Sequence, residues 1–225
     1  VNLSTLSATV DGALAVFGGG SGEVEVIIWE MAQVRYIEGS GALAKEVESA
    51  LREAGLEART INNEDAWIPY ARHAALLEIA ARELKDDCYG AKLGARIDPR
   101  AADALFYMGA ACRTLEDGLR NLERYNYVVS EAFRFRLEVE GNTARIVAEP
   151  MDPAFPHFRQ AVEFRLSVLL HAYRRFTRHP ITPLSVSFMH SRKKRLAEIR
   201  ALFGCPVRFG RSMIAIELHR RDLAL

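Results

Sequence analysis

Cysteine is scarce and odd in number. Cys88, Cys112 and Cys205 stand far apart in a chain of 225 residues, with no C-x-x-C pair. That argues against a disulfide framework and for free, buried thiols in a reducing compartment. No run of eighteen apolar residues occurs, so no membrane-spanning helix is expected. The opening Val1–Val10 has no basic stretch, so no secretory signal is expected and the cytoplasm is the expected location. Four catalytic or nucleotide signatures are also missing: GxSxG, HExxH, GxGxxG and the P-loop. The glycine run Gly18–Gly22 lacks the lysine and the following helix that a phosphate loop needs. None of the six histidines pairs with another at helical metal spacing. No enzyme activity, no metal site and no cofactor are therefore expected.

What is present is an ordinary soluble composition, 49% hydrophobic and 26% charged, with enough length for a large core. The net charge of +1 hides an asymmetry. Residues 1–132 carry 13 basic and 21 acidic side chains, a net −8, and residues 133–225 carry 17 and 8, a net +9. Such a split fits an anionic ligand, an acidic partner or nearby DNA, and equally two halves that attract each other.

Residues 1–40 read as an N-terminal extension, with Glu23–Ile37 a possible strand or dimerisation element because of its β-branched density. Helical spacing follows over Ala42–Ala54, Tyr70–Leu84, Tyr89–Ile97, Arg100–Cys112 and Thr114–Ala132. Pro69 suits the first turn of its helix, and Thr114 suits an N-cap. At Phe133 the period changes to two. Phe133, Phe135, Leu137 and Val139 alternate with charge, Gly141-Asn142 makes a turn, and Thr143–Ala148 returns. A long helix over Phe158–Phe176, a strand over Pro183–His190, a helix over Ser191–Leu202 and a hairpin of Pro206–Phe209 with Met213–Leu218 complete the pattern. The expected fold class is α+β: a helical first half, 41–132, then an antiparallel sheet of ββαβαββ order with packed helices over 133–225. Residues 41–225 are expected to form one domain.

Four stretches resemble a known family. Asp65–Glu78 carries D-x-x-I-P and a later L-L-E; Tyr89–Arg96 reads YGAKLGAR; Thr114–Tyr125 reads TLEDGLRNLERY; Phe203–Phe209 reads FGCPVRF. Together, and in this order, they resemble the N-terminal sensory, arabinose-binding-like domain of AraC-type transcription regulators. Two departures stand out: residues 1–40 lack the family's usual helical start, and Ile214 stands where Asn is common. The resemblance implies a small-molecule effector, a homodimer, and DNA contact only through a C-terminal helix-turn-helix domain that would follow Leu225. The rival expectations are a small enzyme acting on an anionic metabolite and a ligand-free oligomerisation module.

Arginine supplies the candidate effector residues, because its planar fork pairs with carboxylate or phosphate. Arg120 and Arg124 share a helix face with Tyr127; Arg134 and Arg136 lie on the polar face of a strand; Arg174 and Arg178 repeat the i, i+4 spacing. The Arg120/Arg124 pair ahead of a hairpin resembles the cyclic-di-GMP motif of PilZ domains, making a cyclic dinucleotide one candidate effector, although the second PilZ motif is missing. Arg159, Glu163, Ser167, His171 and Arg174 form a polar stripe on the long helix, read first as its solvent side and second as the lining of a pocket between helix and sheet. Tyr107 reads as core, and the run Arg192–Arg195 as a solvated turn first and a surface near DNA second.

Overall fold

The computed structural model describes residues 49–56, 68–96, 104–128 and 130–225. The chain divides into two compact units, residues 1–86 and 87–225. The Glu23–Ile37 segment lies outside the described residues.

In the first unit, residues 49–53 end a helix, and α1 spans Tyr70–Glu83. The first helix stops at Gly55, whose φ of +73° only glycine adopts without strain. There Gly55 N–H donates to the Arg52 carbonyl and Leu56 N–H to that of Leu51, satisfying carbonyls that the helix leaves open. Pro69 is the N-cap of α1, one position ahead of the expected first turn. Arg82 grips Glu53 through two hydrogen bonds of 3.0 and 2.8 Å, fixing α1 against the helix end.

Among its described residues the second unit opens with three short helices: α2 (Tyr89–Arg96), α3 (Ala104–Ala110) and α4 (Leu115–Tyr125). Thr114 caps α4, its hydroxyl accepting the Asp117 N–H, and Glu116 and Asp117 suit the positive end of the helix. The helix ends earlier than its sequence pattern suggests. A 3-10 turn at Asn126–Val128 takes over, and Asn126 turns inward to donate to the Phe133 carbonyl at 2.7 Å.

Strands β1 (Phe133–Glu140) and β2 (Thr143–Pro150) form the expected hairpin around Gly141-Asn142. Phe133, Phe135 and Leu137 are buried, while Arg134 and Arg136 are exposed, as a period of two requires. Helix α5 (Arg159–Thr177) follows, then β3 (Ser185–Ser187), α6 (Leu196–Phe203), β4 (Val207–Arg208) and β5 (Ile214–His219). The expected ββαβαββ order holds, and the sheet is mostly antiparallel with order β1-β2-β5-β3-β4.

One expected pairing does not form. β4 and β5 are not a hairpin, because β3 lies between them. β3–α6–β4 is a strand–helix–strand crossover, so β4 runs parallel to β3, and β5 then pairs antiparallel with both β3 and β2. Gly210 N–H donates to the His190 carbonyl and Arg211 N–H to that of Phe188, which holds the chain beside the β3 exit before it crosses to β5. Pro206, with no N–H, sits at the sheet edge and only accepts, from Val186 N–H at 2.9 Å.

Two helices meet unusually closely in this unit. A β-carbon on Gly90 would stand 2.1 Å from the Gln160 carbonyl oxygen, and one on Gly94 would stand 2.6 Å from that of Phe164. Glycine at these two positions, one turn apart on α2, is what lets α2 lie against α5. The YGAKLGAR stretch therefore encodes a packing surface.

Among the described residues, no helix is long and apolar enough to cross a membrane.

Candidate functional site

Helix α5 is buried on several sides, and its two polar-bearing faces do different things. One face carries Gln160, Glu163 and Ser167, all buried. The expectation of a solvent-facing stripe fails there, because this is the face that meets α2. Gln160 accepts the Gly90 N–H at 2.8 Å, and Ser167 donates to the Ala91 carbonyl at 2.8 Å. Glu163, fully buried, accepts two hydrogen bonds from Arg192 at 2.5 and 2.8 Å and lies 3.0 Å from His190 Nε2.

Arg192 corrects a second expectation. It belongs to no solvated turn: its side chain is 1% exposed. Its guanidinium also donates to the Asp87 carbonyl, the Asp87 carboxylate and the Cys88 sulfur. Residues 191–195 precede α6 instead of beginning it, which frees Arg192 to turn inward. Arg159 completes the cluster through the Asp87 carboxylate at 2.6 Å, holding that carboxyl below its usual range. Burial pushes the Cys88 thiol up to about 11, so it stays protonated at neutral pH. A protonated thiol makes a poor nucleophile.

The other face of α5 borders a cavity of about 290 Å³. Arg165, Val168, Leu169, Ala172, Tyr173 and Phe176 share this face at helical spacing and line it. α3 contributes Phe106 and Gly109, α4 contributes Leu115, Gly118 and Leu122, and β1 contributes Phe135. Cys112, Arg113 and Thr114, between α3 and α4, close one side, and Leu225 another. Leu225 is tied to the cavity wall, since Leu115 N–H donates to its carbonyl at 2.6 Å.

The charge in this cavity is one-sided. Among the described residues Arg113 and Arg165 line it, and no Asp or Glu side chain does. Tyr173 is buried, and its hydroxyl has no hydrogen-bond partner among the described residues. Burial raises its pKa, so the hydroxyl stays protonated. The cavity thus offers cationic donors among apolar walls.

The seven arginine and tyrosine candidates lie elsewhere, and none lines the cavity. Arg120 is on the outer side of α4, paired with Glu123 at 2.9 Å and Glu116 at 3.8 Å, and donates to the Leu137 carbonyl. Arg124 is exposed, its guanidinium over the Tyr125 ring at 5.2 Å, and Tyr127 is 75% exposed. Arg134 is exposed on β1; Arg136 pairs with Glu149 and Glu138. Arg174 is spent on the Ile181 and Phe203 carbonyls, each at 2.9 Å. Arg178 caps α5 in a left-handed conformation and is exposed. Tyr107, expected in the core, is 59% exposed; Phe106 beside it turns inward onto Phe176, ring centroids 4.6 Å apart.

Arg165 is the residue the sequence reading passes over. Its signal is a charge on the apolar stripe, three, four and seven positions before Val168, Leu169 and Ala172.

A family model described as the arabinose-binding domain of AraC transcription regulator, N-terminal, matches residues 46–225. The chain belongs to that family. All of the cavity lies within the matched range. The HTH-type transcriptional regulators VirS of two Mycobacterium tuberculosis strains, CDC 1551 / Oshkosh and ATCC 25618 / H37Rv, are each 28% identical over 164 residues. That alignment covers 71% of this chain and 48% of each relative, so the chain spans about half the length of the curated relatives it matches. The crystal structure of the transcriptional regulator CdpR from Pseudomonas aeruginosa superposes with a TM-score of 0.49 at 16% identity, over 76% of this chain and 55% of that one. The AraC-type family is one of regulatory, ligand-sensing domains.

Proposed function

We propose that this chain is the effector-sensing and dimerisation part of a cytoplasmic AraC-type regulator, with the effector seated in the cavity bordered by α3, α4, α5 and β1. DNA binding belongs to a helix-turn-helix domain outside this chain. The observation that carries the reading is the cavity: about 290 Å³, near the small end of the usual range of roughly 300–1,000 Å³, in a family of ligand-sensing domains. The arginines in its wall and the surplus of positive charge in residues 133–225 favour an anionic effector. The effector regulates by binding one arrangement of the dimer better than another.

A thermal-shift screen tests this. The panel holds sugars including arabinose, amino acids, organic acids and nucleotides including cyclic-di-GMP. At about 100 times its Kd, a ligand of the folded state adds about 2.7 kcal/mol, several degrees in a domain of this size. The expected result is a shift in the unchanged protein that is lost in Leu169→Trp, which fills the cavity from a half-exposed position. A shift that survives Leu169→Trp but vanishes in Arg120→Ala or Arg124→Ala would move the site to the outer face of α4. No shift, together with a stable dimer in sedimentation, would favour a ligand-free oligomerisation module.

A further inference from the structure

We infer that the cavity takes a monocarboxylate with an apolar body, its carboxylate paired with Arg165. This rests on the reading of the cavity as the effector site and names the chemistry of what enters it.

Arg165 is half-buried and has no hydrogen-bond or ion-pair partner among the described residues. Three other arginines on or beside α5 are engaged, Arg159 by Asp87, Arg174 by two carbonyls and Arg192 by Glu163 and Asp87, and Arg113, the second arginine of the cavity wall, is exposed to water. A guanidinium drawn partly out of water and left unpaired is costly. An entering carboxylate removes that cost, because its two oxygens match the guanidinium fork. Among the described residues no acidic side chain lines the cavity to compete for the position.

The walls fix the rest of the ligand. Phe106, Phe135 and Phe176 surround the space with aromatic surface, which selects an alkyl or aryl body over a sugar or a nucleotide. A sugar would leave several hydroxyls facing these rings, each unpaired. Tyr173 lies two turns along α5 from Arg165, about 12 Å by helix rise. Its hydroxyl is enclosed by the protein, so the polar contact with the ligand falls to the arginine.

The test compares acids with neutral isosteres. Octanoate and 3-phenylpropanoate are titrated against octanamide and 3-phenylpropanamide by calorimetry and thermal shift, using the 225-residue chain. Each acid is expected to bind at least about ten-fold tighter than its amide, a difference of about 1.4 kcal/mol. Arg165→Met and Arg165→Gln are expected to erase that difference while keeping amide binding, which also shows that the variants fold. Leu169→Trp is expected to remove both ligands. Equal binding of acid and amide, or an acid preference that survives in both Arg165 variants, overturns the carboxylate assignment and leaves the cavity reading standing. Binding that survives Leu169→Trp overturns the cavity reading itself. No binding of any of the four compounds to the unchanged protein overturns this inference alone, because the wider screen tests the cavity with other chemistries.

Discussion

Gln160 meets Gly90 twice. Its side-chain oxygen accepts the Gly90 N–H at 2.8 Å, and its backbone carbonyl stands 2.1 Å from where a Gly90 β-carbon would be. The same contact that binds α2 to α5 forbids a side chain there. Because the opposite face of α5 carries Arg165 and Tyr173, the α2 contact also sets where the cavity wall stands.

Gly90→Ala should therefore destabilise the protein despite its better helix propensity. The gain of about 1 kcal/mol in propensity is outweighed by a backbone clash, for which overpacking costs of about 1–3 kcal/mol or more are usual. Gly118→Ala is the contrast. Its added carbon would meet nothing closer than 3.8 Å, so a stabilisation of about 0.5–1 kcal/mol is expected. Urea unfolding of the two variants checks the opposite signs.

Removing Arg192 should be among the most damaging single changes. Arg192→Met leaves Glu163 buried without its ion-pair partner, a loss expected at about 3–5 kcal/mol. Pairing it with Glu163→Met, which replaces the ion pair by apolar volume, should recover much of that loss. A double-mutant cycle on chemical unfolding reads the coupling. Independent, additive losses would contradict the account.

Stability should fall in acid. The Asp87 carboxyl is held below its usual range first by the hydrogen bond from Arg159, and that of Glu198, at about 2, by hydrogen bonds from Lys92 and Arg195. Each folded pKa lies below the unfolded value of about 4, so the stabilisation is present above pH 4 to 5 and is lost as the pH falls toward 2. Glu198 is solvent-screened, so most of the loss is expected from Asp87. Melting temperature against pH should show a shallower acid limb in Arg159→Gln.

The thiols should separate by reactivity. Burial holds Cys88 and Cys205 at about 11, whereas Cys112 is only half-buried and lines the cavity. Cys112 should react first with a thiol reagent in the folded protein. A bound ligand should slow that reaction without changing the other two, as peptide mapping after alkylation would show.

Local signals were legible where neighbours in sequence are neighbours in space. The Gly141-Asn142 turn between alternating strands, the Thr114 cap and the apolar run of α5 all appear where their patterns place them. Long-range partners were not. β4 and β5 each alternate as strands do, but nothing local says that β3 will lie between them. Arg192 sits in a run of four basic residues that looks solvated, and only the fold brings Glu163 beneath it. The i, i+4 arginines of α4 look the same in sequence whether they face a ligand or the acidic residues beside them; here Arg120 has Glu116 and Glu123. Arg165 differed by breaking an apolar stripe, a signal that weighs position on the helix above the number of arginines.

The most direct test of the effector site is methyl chemical-shift mapping of the labelled 225-residue chain during titration with 3-phenylpropanoate. Perturbations concentrated on Leu115, Leu122, Val168 and Leu169, which line the cavity, are the predicted result. Perturbations confined to Val128 and Val139, beside the exposed arginines of α4 and β1, would contradict the account and place the ligand on the outer surface.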